Sequence, residues 1–192
     1  VYQKQGYAAD DVIGTIVETI NHKSKSSPSS SKYINQPIEI FIVTGDMDTL
    51  QLVNDGEKVY TLRKGMSDVV VYDRKAIKER YGFDPEYMVD YKALRGDASD
   101  NIPGVPGIGE KTATELVQKF GHVENIYKAI GNKLPAISVL KPSVLKKLVE
   151  GEESAKMSKQ PATIDGNVPD VGFKLDDCQL KNLDMDSSTK LF

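Results

Sequence analysis

The chain has 192 residues, 39% of them apolar, which suits one domain with a substantial core or one domain with an appendage. Its one cysteine, Cys178, excludes a disulfide framework and a thiolate zinc site, so a reducing compartment, the cytoplasm, is expected. No apolar run approaches the roughly 18 residues of a membrane span. The formal net charge of −3 conceals an uneven distribution: residues 101–148 hold 7 Lys+Arg against 3 Asp+Glu, while the flanking stretches are acidic. Such a local basic field suits a nucleic-acid backbone, with a solvated basic face as the plainer alternative.

In chain order, Val12, Ile13, Ile16, Val17 and Ile20 recur at helical spacing, predicting an amphipathic helix from Asp10-Asp11 to about His22. The serine-rich stretch after it predicts a flexible loop over residues 24–37. Ile38 to Thr44, almost continuously apolar and β-branched, predicts a strand buried on both faces of a parallel sheet. A short helix around Leu50, Leu52 and Val53 and strands over Lys58–Leu62 and Val69–Tyr72 follow.

From Asp73 the pattern becomes helical. Asp73 is a suitable N-cap for a helix through Tyr81 that Gly82 ends, and Asp84-Pro85 opens a second helix closed by Gly96. Ala113, Leu116, Val117 and Phe120 mark a helix stopped by Gly121, and short helices are expected over Val123–Ile130 and Pro142–Met157. Ala162-Thr163-Ile164 is a candidate strand, followed by a polar, acidic tail.

Three acidic pairs carry the chemical signal. Asp46 and Asp48 follow a strand directly, where ligand sites collect in α/β sheets; the lesser alternative is that Asp46 simply caps the next helix. Asp10 and Asp11 open a helix, a common complement to its dipole. Asp97 and Asp100 lie just past a helix end, where both can turn toward one hard cation or form an Asx-turn. With no His or Cys nearby, carboxylates of this kind favour Mg²⁺ or Mn²⁺ over Zn²⁺.

The segment Gly104-Val105-Pro106-Gly107-Ile108-Gly109-Glu110-Lys111-Thr112 lacks the Walker ending and reads as the turn of a helix-hairpin-helix. Gly107 and Gly109 allow close backbone approach to a phosphate, and Lys111 and Thr112 add a charge and a hydroxyl at a helix N-terminus. A purely structural turn is the alternative. A nucleotide-binding α/β protein is disfavoured by the lack of any Walker or Rossmann glycine pattern.

Tyr7-Ala8-Ala9-Asp10-Asp11, the run Val43 to Leu52, and above all the run Lys92 to Ala113 closely resemble the 5′-nuclease domains of the flap-endonuclease family found in bacterial DNA polymerase I. The resemblance extends through most of the chain and weakens after about Ile164. It implies a PIN-like α/β core with an incomplete parallel sheet over residues 1–95, a helix-hairpin-helix region over 96–160, and a return strand and tail over 161–192 leading toward a polymerase portion in cis. It also implies a two-metal hydrolase that cuts near a 5′ end or at the base of a 5′ flap, on nicked or primer-bearing DNA, in replication and repair. Asp10, Asp11, Asp46 and Asp48 would serve one ion and Asp97 and Asp100 the other. Gly104, Gly107, Ile108, Gly109, Lys111 and Thr112 would hold duplex DNA, with K⁺ on the hairpin carbonyls.

Two departures from the family pattern are visible. Ala8 stands where the family places a glutamate, and the family's upstream segment, with its own strand, metal aspartate and helical arch, has no counterpart in this sequence. The chain is therefore expected to be the C-terminal part of a nuclease domain that binds branched DNA weakly and cleaves poorly. The competing expectation is a non-catalytic, structure-specific DNA-binding module in which the acids serve as caps.

Overall fold

The computed structural model describes residues 1–26, 38–62 and 69–178. Helix α1, Ala9–Ser26, carries its buried stripe on Val12, Val17 and Ile20. It runs past the expected stop at His22 because no helix breaker precedes Pro28. The rest of the expected loop, 27–37, lies outside the described residues, as does the tail from 179.

Strand β1 (Ile40–Val43) pairs in parallel with β2 (Glu57–Leu62), which pairs antiparallel with β3 (Val69–Tyr72). The sheet is therefore mixed rather than wholly parallel. The link between β2 and β3 is too short for the crossover that parallel pairing needs. Burial on both faces of β1 is not found either. Ile42, Val59 and Tyr72 line up across the strands and face the core, whereas Phe41 and Val43 on the other face are 48% and 70% exposed.

Between β1 and β2 the chain makes a 3-10 turn, Met47–Leu52, whose Leu50 is fully buried. After β3, Asp73 caps α2 (Arg74–Tyr81) by accepting from the Ala76 amide, and Gly82 ends it with φ 78°. A second 3-10 turn, Pro85–Tyr87, leads into α3 (Met88–Arg95), and Gly96 terminates α3 as expected. Helices α4 (Glu110–Phe120), α5 (Val123–Gly131) and α6 (Pro135–Ser138) follow.

The single helix expected over Pro142–Met157 is two: α7 (Pro142–Glu150) and α8 (Glu152–Ala162), divided at Gly151. A Cβ at Gly151 would lie 2.7 Å from Val105 Cγ1, so the break lets α8 begin hard against the hairpin. Helix α8 then packs along α3.

Ala162 ends α8, so the expected strand at Ala162-Thr163-Ile164 does not form. Its backbone is instead tied by a side chain: Gln51 Nε2 donates to the Ala162 carbonyl (3.1 Å) and Gln51 Oε1 accepts from the Ile164 amide (3.0 Å). The segment continues along α1, where Thr15 Oγ1 donates to the Asp165 carbonyl and accepts from the Val168 amide. Gly14 leaves room for Ile164, whose Cγ2 would be 2.7 Å from a Cβ there. Among the described residues, no helix is long and apolar enough to cross a membrane.

Candidate metal centre and nucleic-acid interface

Asp46 caps the first 3-10 turn, its Oδ1 accepting from the Asp48 amide at 2.9 Å. That turn projects Asp48 toward the last turn of α3, where Lys92 is 6% exposed. Lys92 Nζ donates to Asp48 Oδ2 and, at 2.8 Å, to Asp100 Oδ2, and pairs with Asp97 Oδ2 at 3.1 Å. One carboxylate oxygen from each of Asp48, Asp97 and Asp100 lies within 4.8 Å of the others.

The loop after α3 is built to hold this arrangement. Asp97 and Ile102 exchange two backbone hydrogen bonds of 2.8 Å, and Asn101 takes the left-handed conformation at φ 55° to close the turn between them. Asp97 Oδ1 accepts from the Ser99 amide, and hydrogen bonding by Ser99 together with the Lys92 charge holds its carboxyl below the usual range. Burial raises Asp48, assisted by its neighbours Asp100 and Asp46 and opposed by Lys92. Burial alone would lower Lys92, but its hydrogen bonds to Asp100 and Asp48 outweigh that and raise it, so the ammonium persists.

The other acidic pair is divided in its duties. Asp11 Oδ2 accepts from the Ala8 amide (3.0 Å) and its Oδ1 from the Asp165 amide (2.8 Å), so both oxygens secure backbone. Burial raises the carboxyl of Asp10, and the charges of Asp11 and Asp46 push it the same way. Asp10, Asp11 and Asp48 line one cleft of about 750 Å³, together with residues 160–167. Ala8 lines it too and brings no carboxylate. The structure thus groups Asp48 with Asp97 and Asp100, keeps Asp10 and Asp46 within electrostatic reach of one another, and uses Asp11 and Asp46 as caps.

Past this loop the hairpin returns. Gly104 is buried, donates its amide to Ser158 Oγ at 2.9 Å and accepts from Ser154 Oγ at its carbonyl. A Cβ on it would lie 2.3 Å from the Gly96 amide nitrogen, so Gly104 serves chain packing and has no backbone group to spare for a ligand. The Ile108 side chain is 3% exposed and belongs to the core. Gly107 and Gly109 are exposed, and Gly109 precedes α4 as its N-cap, with no side chain capping the helix's free amides. Lys111 is exposed on the first turn of α4, Thr112 half-buried beside it. Lys147 of α7 donates to the Gly107 carbonyl at 2.8 Å, adding a second cation to this corner.

A second cluster escaped the sequence reading. Asp90 on α3, 1% exposed, accepts from the Val123 amide at 2.9 Å and from Lys159 Nζ at 2.7 Å, and His122 Nδ1 lies 2.9 Å from its Oδ2. Lys159 also donates to both oxygens of Glu124. Asp90, His122 and Glu124 come within 4.8 Å, yet a lysine and a helix amide already occupy them. Lys92 was missed as well. The available signal for both was a charged residue interrupting the apolar face of α3, the helix that leads into the acidic loop.

Residues 1–82 match the family described as 5'-3' exonuclease, N-terminal resolvase-like domain, and residues 83–186 the one described as 5'-3' exonuclease, C-terminal SAM fold. The chain is 38% identical over its whole length to DNA polymerase I of Bacillus caldotenax, covering 20% of that protein. It is 37% identical over 85% of its length to a 5'-3' exonuclease of Bacillus subtilis, covering 48% of that protein. It thus spans about a fifth of the polymerase and about half of the exonuclease. Among solved structures, bacteriophage T5 5'-exonuclease with bound zinc ions superposes with a TM-score of 0.65 at 24% identity, over 84% of this chain and 52% of that one. A T5 flap endonuclease in a complex with DNA and metal ions gives 0.61 at 23% identity, over 84% and 51%. These structures share the fold, and with both family matches spanning almost all of the sequence, the chain belongs to the 5'-3' exonuclease family.

Proposed function

We propose that this chain is the metal-holding and duplex-gripping part of a 5′-3′ exonuclease or flap endonuclease, joined to a polymerase as in the relatives named DNA polymerase I. The observation that carries this is the convergence of Asp48, from the turn after β1, with Asp97 and Asp100, from the loop that runs directly into the exposed hairpin. The donor set fits a hard divalent cation: carboxylate oxygens close enough to share one ion, with a positive charge already required between them. Asp48, Asp97 and Asp100 would hold Mg²⁺ or Mn²⁺, with Asp10 and Asp46 completing the acidic wall toward a second ion. When bound, such ions lower the pKa of water and stabilise a leaving oxygen. On this reading residues 1–95 supply the remainder of the acidic wall and 96–160 the grip on DNA.

The chain's own residues then divide the work. Asp11 holds the start of α1 against Asp165 and so fixes Asp10 at the cleft. The α4 amides, Lys111 and Lys147 meet phosphates of a nicked or flapped duplex without reading its sequence. K⁺ on the hairpin carbonyls would have to displace or share the Gly107 carbonyl with Lys147, which donates to it. A non-catalytic DNA clamp is the second reading, favoured by the capping roles of Asp11 and Asp46.

Gel shift and cleavage of a 5′-flap duplex, with and without Mg²⁺, test the proposal. Lys111→Ala is expected to weaken flap binding and to make its salt slope shallower by about 0.9, because one fewer phosphate is neutralised. An unchanged slope removes the hairpin from the interface. Mg²⁺-dependent cutting that disappears in Asp97→Asn favours the nuclease over the clamp. Binding with no cutting, even when Ala8→Glu and an upstream segment from a relative are supplied, favours the clamp.

A further inference from the structure

The metal reading leaves Lys92 unexplained, since an ammonium seated among proposed cation ligands opposes the cation. We infer that Lys92 is a built-in counter-cation: it keeps Asp48, Asp97 and Asp100 gathered in the metal-free protein and competes with a divalent ion for them. This inference rests on the proposal that these three carboxylates bind such an ion.

The geometry is specific. The Lys92 side chain is 7% exposed, and its ammonium meets three carboxylates through the same atom of each, Oδ2. Asp97 Oδ1 is engaged by Ser99, leaving its Oδ2 to Lys92. Without a cation between them, carboxylates this close repel, and the loop holding Asp97 and Asp100 would lose its register with the turn holding Asp48. Lys92 supplies that charge from α3, the helix that ends where the loop begins. An arriving divalent ion must then share the carboxylates with a fixed positive charge or displace it. Lys92 is thus a positioning residue that sets the affinity for metal, and a purely architectural lysine would not.

The test is Mn²⁺ binding by electron paramagnetic resonance and by thermal shift in wild type and Lys92→Met, which keeps the stem and deletes the charge. Expected is a lower melting temperature without metal, an Mn²⁺ dissociation constant at least about tenfold lower than wild type, and a larger Mn²⁺-induced stabilisation. Equal or weaker Mn²⁺ binding by Lys92→Met overturns the inference while leaving the metal reading intact. Absence of Mn²⁺ from these carboxylates in both proteins removes the metal reading and the inference together. Should Lys92→Met not fold, the ¹⁵Nζ resonance of Lys92 in the wild-type chain decides: it must shift on saturation with Mg²⁺, and a resonance that does not move overturns the inference.

Discussion

Two lysine–carboxylate clusters draw on helix α3, one through Lys92 and the other through Asp90, and differ in what surrounds them. Around Lys159, Asp90 is 1% exposed; its Oδ1 takes both a helix amide and the lysine and its Oδ2 meets His122, so both oxygens have partners inside the protein. Around Lys92, Asp48 and Asp100 have side chains 22% and 45% exposed, and Asp48 also lines the cleft beside Asp10. The first welds α3, α5 and α8 together; the second holds charge where a ligand can reach it. Three acidic or imidazole ligands within 4.8 Å are therefore a poor guide to a metal site until the competing internal donors are identified.

The contrast breaks most visibly in stability. Asp90→Ala leaves Lys159 and the Val123 amide without their buried partner and is expected to cost about 3–5 kcal/mol in urea unfolding. Asp100→Ala is expected to cost less than about 1 kcal/mol, because Lys92 retains two carboxylates and the one removed is nearly half exposed. Next comes the response to metal. Mn²⁺ at about a hundred times its dissociation constant should stabilise wild type by about 2.7 kcal/mol. Asp48→Asn combined with Asp97→Asn should abolish that gain, and Glu124→Gln should leave it intact. Equal loss in both variants would erase the distinction.

The smallest effect is in pH. Burial alone would raise Glu124, but Lys159 outweighs it and lowers its carboxyl, so its contribution is present above the ordinary glutamate range and lost as pH falls through its folded value. The stability difference between wild type and Glu124→Gln should shrink below about pH 4.5, by a few tenths of a kcal/mol since Glu124 is mostly exposed. A difference that grows in acid would reverse the assignment.

Local signals in the sequence carried most of the helical half. Asp73, Gly82, Gly96 and Gly121 begin or end helices where their chemistry demands it, and the acidic loop and hairpin lie where their motifs put them. What was not legible depends on distant partners. Thr163 and Ile164 have strand-like side chains, yet the Ile164 amide bonds to Gln51, 113 residues away. The run Ile38 to Thr44 is apolar throughout, and an unbroken apolar run does not tell whether a second layer covers Phe41 and Val43. Lys92 and Asp48 are 44 residues apart and Lys159 and Asp90 are 69 apart, so no periodicity announces either pair.

The central claim is that the carboxylates of Asp48, Asp97 and Asp100 hold a divalent cation while the cluster built around Asp90 does not. Crystals of the chain soaked in Mn²⁺ and measured for anomalous scattering test it most directly. The account predicts a peak among Asp48, Asp97 and Asp100 and none among Asp90, His122 and Glu124. A peak at the second cluster with an empty first would contradict it.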